Sequence, residues 1–305
     1  MQDYSSLKKI MLRASVPLLS LAFAATAAAQ NDDRFASVEI KTTEVVPGVY
    51  MLEGAGGNIG LSVGADGPFI IDDQFAPLSE RILAAIGELT EDAPSFVLNT
   101  HWHGDHAGGN ENFHNAGAMI VAHDNVRKRL LEGSEERNIE PANPGALPVI
   151  TFSDEINFYW NDHDIHIQHH ELAHTDGDAI VFLKDVNVVH MGDVFFNGGY
   201  PFIDIASGGG IDGYIAAHNG VLELVNEDVK IIPGHGPLST RQDLQDTRDM
   251  LVKVREKVQK LVDKGLSEDE VVAKKPLKKL SKKWGNGFIK DEFMTRTAYR
   301  SLTAE

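Results

Sequence analysis

The sequence predicts an α/β fold: two mixed β-sheets packed face to face with helices outside, a four-layer αβ/βα sandwich. Three observations predict it. Short apolar, β-branched runs give way to helical periodicity in the order strands then helix, and that order occurs twice. The chain has 305 residues, 42% hydrophobic and 24% charged, enough for a sizeable core and ordinary for a globular protein. The residues able to do chemistry stand at the ends of the apolar runs, where exposed loops sit on a rigid base.

The elements follow in order. VEI (38–40), GVYML (48–52) and NIGLSV (58–63) read as three strands, separated by Pro47-Gly48 and by Gly54-Ala55-Gly56-Gly57. The second separator predicts a mobile hairpin loop; residues 54–58 suit either a tight turn or a flap over a substrate. FIID (69–72) is a short buried strand. Leu78, Ile82, Ile86 and Leu89 recur at helical spacing. SFVLNT (95–100) is another strand, and 101–109 leave its end as a polar, Gly-containing loop. Residues 119–122 and a helix over 124–132 come next, then a surface loop over 133–148 with Pro141, Pro144 and Pro148. A second set of strands covers 149–153, 155–160, 163–170, 179–184 and 186–191. A helix follows Asp212, a strand ends in Pro233-Gly234-His235-Gly236, and a long helix runs over Leu244, Leu251, Val254, Val258 and Leu261, with Gly265 suited to its C-terminal cap.

Composition excludes several functions. The formal net charge is −17, so phosphate backbones are repelled over most of the surface and nucleic acid is not expected as a partner. There is no cysteine, which rules out disulfides, Cys-ligated zinc, iron–sulfur clusters and a thiol nucleophile. Any metal must be held by His, Asp or Glu, and there are 13 His.

The N-terminus reads as an address. Lys8, Lys9 and Arg13 precede an apolar stretch over 14–26 that is too short to span a bilayer, and Ala27-Ala28-Ala29 supplies small residues for cleavage. A secretory signal cut after Ala29 is expected, which places the mature chain in the periplasm or outside the cell. Its loss leaves 25 Lys+Arg against 44 Asp+Glu, a net charge of −19. No later apolar run is long enough to anchor the mature chain in a membrane.

Residues 100–106 read Thr-His-Trp-His-Gly-Asp-His, directly after an apolar strand. On extended chain His101 and His103 point to one side and can chelate one ion, while Trp102 points away. Asp105 and His106 lie in the following turn and can aim at a second ion. Imidazole and carboxylate suit zinc, and a catalytic site keeps a position open for water. His174, Asp193 and His235 stand at loops or strand ends downstream, and Asp72 closes FIID in the same way.

With FIIDD, THWHGDH, GGN, AHTDGD, MGD and PGHG in this order, the chain resembles the metallo-β-lactamase superfamily over about residues 45–240. The resemblance implies a dinuclear zinc hydrolase. His101, His103 and His174 look like the ligands of one metal, and Asp105, His106 and His235 like those of the other. Asp193 resembles the bridging aspartate of the glyoxalase II-like branch, and Asp72 a carboxylate that braces the histidine loop. A hydroxide between the metals would be the nucleophile, and Asp105 would orient it and pass its proton to the leaving group. Two Zn2+ per chain are expected, with iron or manganese as replacements at one or both positions. The implied domain layout is a signal over 1–29 and a single hydrolase domain over 30–305, with a C-terminal helical segment over 240–305.

The departures narrow the substrate. The commonest β-lactamase subclass places a Cys on the second metal, and this chain has none. Another subclass lacks a bridging Asp, whereas Asp193 is present. No Lys or Arg occurs between Asp193 and Lys230 to pair with a β-lactam carboxylate or to clamp glutathione. Cyclic amides, slowly, and cyclic esters are the expected substrates; thioester hydrolysis is the runner-up. A non-catalytic periplasmic zinc binder is the alternative of another class, although ligands spread over several loops suit an open site better than a scavenger. Tyr200, Asn197 and Asn58 are candidate substrate contacts, with packing at a turn an equal role for Tyr200.

Other residues receive plainer readings. His163, His166, His169 and His170 form a second cluster, in which His166, Gln168 and His170 share one strand face opposite Ile165 and Ile167; this suits a polar solvent face rather than an accessory metal site, and His190 suits a satisfied core histidine. Six lysines between Lys274 and Lys283 read as a solvated flank rather than a docking patch. The physiological substrate and the oligomeric state are not legible.

Overall fold

A turn sets the register of the first strands. Gly48, at φ +79°, follows Pro47 and reverses the chain, so that Val46 faces Val49 and the pairing runs back to Lys41 against Glu53. β1 is therefore Lys41–Val46, not the VEI expected over 38–40. As an edge strand it can expose Lys41, Thr42 and Glu44, which is why its polarity hid it. β2 (Val49–Glu53), β3 (Ile59–Ser62) and β4 (Phe69–Ile71) continue the sheet antiparallel. The computed structural model describes residues 33–135 and 139–304; the expected signal over 1–29 lies outside them.

From β4 onward the sheet becomes parallel. β5 (Phe96–Asn99), β6 (Met119–His123) and β7 (Ile150–Phe152) join it in order, and parallel neighbours need crossovers. Helices α1 (Ser79–Gly87), α2 (Gly104–Ala107), α3 (Asn110–Asn115) and α4 (Asp124–Glu132) occupy those connections. The placement of 149–153 in the second set of strands is corrected: only Ser153 and Asp154 separate β7 from the next strand, yet Ile150 pairs with Val121 in the first sheet. The chain changes sheets across those two residues, a step that proximity in sequence disguises as a hairpin.

The second sheet has the order β12-β11-β10-β9-β8. β8 (Glu155–Trp160), β9 (His163–His169), β10 (Ala179–Leu183) and β11 (Val188–His190) form an antiparallel meander. β12 (Lys230–Ile232) pairs parallel to β11 after a crossover through α5 (Ile211–Leu224). The inner faces of the two sheets share one core, with Met51, Phe69, Leu98 and Val121 from the first and Ile165, Ile167, Val181 and Ile232 from the second. The outer face of the second sheet, with Ile180, Phe182 and Val189, packs on Ala217, Val221 and Leu222 of α5. The four layers follow from strands buried on both faces.

α6 (Arg241–Val262) opens with a capping box, Thr240 and Asp243 satisfying each other's backbone N–H, and buries Leu244, Leu251, Val254 and Val258. Gly265 beyond its end has φ +74°. α7 (Glu268–Ala273), α8 (Ser281–Trp284) and α9 (Asp291–Thr303) follow. Their apolar faces form a second core with Met250, Leu251, Trp284 and Met294, into which Tyr200 and Ile203 insert. Within the lysine run, Lys283 pairs with Asp246 at 2.8 Å and the pair is solvated. The β9 histidines take the alternation expected of a strand. Ile165 and Ile167 are buried and His166 sits partly exposed on the opposite face against Asn157 Oδ1, whereas His169 lies on the face of the two isoleucines, where it stacks on His123 at 3.8 Å. His190 is enclosed and satisfied, with Nε2 on the Asn58 carbonyl and Nδ1 accepting from Gly192 N–H.

Candidate metal centre

The site is assembled from the ends of β4, β5, β11 and β12 and the loop between β9 and β10. Asp72, just past β4, is fully buried at φ +65°, a left-handed conformation that Asp tolerates better than most residues. Its carboxylate accepts from Thr100 N–H at 2.7 Å and from Thr100 Oγ1 at 2.8 Å, and receives His106 Nδ1 at 2.7 Å. Asp73 accepts from Gly109 N–H at 2.8 Å. One end of β4 thus holds both ends of the histidine loop.

His101, His103, His174 and Asp193 form one group of potential ligand atoms, all within 4.8 Å of one another, and Asp105, His106 and His235 form a second. In the first, His103 Nδ1 lies 3.1 Å from His101 Nε2 and 3.0 Å from His174 Nε2. The outer nitrogens settle the tautomers. His174 Nδ1 meets the Phe202 carbonyl at 2.8 Å and must donate to it, and His103 Nε2 donates to Asp204 Oδ2 at 2.9 Å. The two inner nitrogens, His103 Nδ1 and His174 Nε2, stand 3.0 Å apart, a spacing that suits a shared cation. Tetrahedral zinc holds imidazole nitrogens at about this spacing. Burial keeps His174 uncharged, with a pKa lowered to about 4, and burial with the neighbouring imidazoles holds His101 well below its ordinary value.

Asp193 stands between the groups. Oδ2 lies 3.8 Å from His101 Nε2 and 3.5 Å from His174 Nε2; Oδ1 lies 3.0 Å from His106 Nε2 and 3.2 Å from His235 Nε2. Oδ1 is buried without a well-directed hydrogen bond. Burial alone would raise this carboxyl, but His106 and His235 hold it well below the carboxylate range. The converse holds for the imidazoles. Burial opposes their charge, yet Asp193, Asp105 and Asp72 lift His106 well above its ordinary value, and Asp193 and Asp105 lift His235 to about 9. The second group is therefore a pocket of negative potential that favours a cation, and its donor set fits a hard or borderline divalent ion. Asp105 Oδ2 lies 3.4 Å from His235 Nε2. Burial raises its carboxyl, but His106 and His235 outweigh that and lower it, and its side chain keeps some solvent exposure.

Two glycines make the close approach possible. A Cβ on Gly57 would fall 2.0 Å from His106 Cε1, and one on Gly234 would fall 2.2 Å from Asp193 Oδ1. The glycine-rich loop is held against the histidine loop at this point. Gly57 N–H donates to the Asp105 carbonyl at 3.0 Å, its carbonyl accepts from Gln74 Nε2, and the loop packs against the metal loop from behind.

The three candidate substrate contacts take different places. Asn58 lies outside the cleft: its amide donates to the Pro233 and Gly236 carbonyls and staples the His235 turn in place. Asn197 lines the cleft while donating to Ser239 Oγ at 2.8 Å. Tyr200 also lines it, with a buried hydroxyl that has no hydrogen-bond partner among the described residues and is kept protonated by burial and by Asp291. Trp102 points away from the ligand groups into a small core with Ala122 and Val126.

The cleft beside the ligands has a volume of about 500 Å³. His103, Asp105, Asp193 and His235 form its floor; Phe196, Phe202, Tyr200, Phe288 and Ile289 supply much of its wall. Among the described residues, no lysine or arginine lines it. Sequence reasoning passed over Asp204 and the C-terminal Phe288 and Ile289, because each reaches the site through tertiary folding and carries no local motif.

Known structures share this fold. The stereoselective inverting sec-alkylsulfatase from Pseudomonas sp. superposes with a TM-score of 0.66 at 18% identity, over 87% of this chain and 50% of its own. This chain therefore spans about half the length of that sulfatase. A metallo-β-lactamase from Pontibacter korlensis gives 0.61 at 17% identity, over 70% of this chain and 99% of its own. The DIM-1 metallo-β-lactamase gives 0.57 at 18% identity, over 70% and 98%. No curated protein matches by sequence. A sequence profile matches residues 57–241, which include every ligand candidate and more than half of the chain, and on that match the protein belongs to the metallo-β-lactamase superfamily.

Proposed function

We propose that this protein is a dinuclear metal hydrolase, working with zinc in the first instance, that opens neutral ester-type carbonyl bonds, with lactones as the preferred class and β-lactams as slow substrates. One observation carries the preference: the cleft over the ligand groups is walled by aromatic and apolar side chains, and among the described residues no lysine or arginine lines it to pair with a substrate carboxylate. That weighs against efficient β-lactam binding and against glutathione thioesters. It weighs against a pure zinc store as well, since a buried store has no use for an apolar cleft at its ligands.

Metal ions bound by the two groups would supply a lowered water pKa and Lewis-acid polarisation of the carbonyl. The chain's own residues do the rest. Asp193 presents one oxygen to each group and sets their separation. Asp105, partly exposed on the cleft floor, is placed to hold the proton of the attacking water at Oδ2 and to return it to the leaving heteroatom. Phe196 stacks on His235 with ring centroids 4.8 Å apart. An alkyl sulfate is the second reading, since the same apolar cleft suits an alkyl group and the sulfatase neighbours are named for that class. Export through residues 1–29 belongs to the same proposal.

The test is a parallel assay of the metal-loaded protein with a lactone, a chromogenic cephalosporin, a glutathione thioester and an alkyl sulfate. The expected order puts the lactone first, with turnover abolished in His101→Ala and His103→Ala. Turnover of none of the four by protein carrying its metals, or turnover unchanged in both variants, overturns the assignment.

A further inference from the structure

The wall of the cleft opposite the ligand groups comes from the C-terminal helical segment. Tyr200 pairs with Ile289 in an antiparallel bridge, and Tyr200 N–H donates to the Trp284 carbonyl at 3.0 Å. Gly199 lies against Gly287, so close that a Cβ on Gly199 would stand 3.6 Å from the Gly287 Cα. The turn between α8 and α9 is thereby held against the loop that follows Asp193. At its tip Phe288 is 92% exposed and faces the cleft rim.

An exposed phenylalanine on a tethered turn is costly to leave in water, and here it does not stand alone. The His103 ring lies 6.1 Å from Phe202, and Phe202 lies 5.8 Å from Phe293, itself 45% exposed. An aromatic strip thus runs from a candidate ligand of the first group through Phe202, which lines the cleft together with Phe288, and among the described residues no lysine or arginine lines that cleft.

We infer that this strip is a subsite for an unbranched alkyl or acyl tail carried by the substrate, and that Phe288 is its specificity-determining residue. The inference rests on the hydrolase reading and deepens it: the reacting carbonyl sits over the ligand groups, and the tail lies along Phe202 and under Phe288. Aromatic faces grip methylenes without directional demands, so the subsite selects by length and apolarity rather than by a particular head group.

Two measurements on the zinc-loaded protein separate this inference from the reaction on which it rests. Calorimetry with acetohydroxamate and octanohydroxamate reads the tail alone, because the metal-binding head is common to both. The octanoyl compound is expected to bind at least about 10-fold tighter, and Phe288→Ala to cut that ratio by about 5-fold, with Phe288→Leu restoring most of it. Hydrolysis of acetyl and octanoyl esters of one alcohol should show the same change in the ratio of kcat/KM, carried by KM. A chain-length ratio unmoved by Phe288→Ala, or no preference for the longer hydroxamate, overturns the subsite even when esters are hydrolysed. A ratio that falls in calorimetry while no ester is turned over upholds the subsite and removes the reaction instead.

Discussion

Asp204 accepts a hydrogen bond from His103 Nε2 at 2.9 Å, while its own backbone N–H donates to the His174 carbonyl. One residue therefore orients two members of the first ligand group. The carboxylate orients the His103 ring so that Nδ1 faces His101 and His174, and the backbone contact fixes the loop that carries His174.

Replacing Asp204 with Asn keeps the shape and removes the charge. Metal affinity at the first position should fall about 10- to 100-fold, with the second position less affected. Zinc titration against a chromophoric chelator reads both. Equal losses at the two positions would show that Asp204 acts on the fold rather than on His103.

Asp193 faces both groups, with Oδ1 3.0 Å from His106 Nε2 and Oδ2 3.5 Å from His174 Nε2. Asp193→Ala should loosen both ions and lower kcat/KM by at least about 100-fold. Metal content after dialysis is the measurement. Loss of one ion alone would mean that Asp193 does not bridge.

Gly57 has no room for a methyl group, since a Cβ would overlap the His106 ring. Gly57→Ala should cost about 1–3 kcal/mol and displace His106 from its group. Thermal unfolding and metal stoichiometry together check it. A variant with the wild-type midpoint and metal content would show that the glycine loop yields.

His218 on α5 is fully buried, donates Nε2–H to the Val194 carbonyl at 2.7 Å, and has its pKa lowered to about 4, burial being the main cause. A histidine with a depressed folded pKa contributes stability above the unfolded pKa of about 6.5 and loses it as pH falls toward the folded value. Protonation of His218 should therefore remove about 3 kcal/mol between pH 6.5 and 4. Urea unfolding of wild type and His218→Gln isolates this from acid release of metal. The difference between the two should shrink steadily across that window; parallel curves contradict it.

Much of this was legible before the fold was known. His101, His103, Asp105 and His106 occupy seven residues with Thr100 at their head, so local spacing alone brings their chelating atoms together. Asp193 and His235 were legible because each closes a buried strand and follows a glycine, and Gly234 proves necessary for the approach to Asp193. Asp204 was not, because nothing local distinguishes a carboxylate whose partner lies 101 positions away. Asn58 looked like a substrate contact because its position in sequence lies beside the glycine loop; its amide is spent on Pro233 and Gly236. β7 was misassigned because strand identity is local, while sheet membership depends on which neighbour buries Ile150 and Phe152. Phe288 was invisible for the same reason: its turn reaches the cleft only through the Tyr200–Ile289 pairing.

Seven side chains form two groups of potential metal ligands, and Asp193 of the first also faces His106 and His235 of the second. The most direct test counts metal in protein comprising residues 30–305, by mass spectrometry under native conditions, before and after chelation. Two ions per chain are expected, with lactone turnover lost on chelation and recovered when zinc returns. One ion or none, accompanied by full turnover, would contradict it.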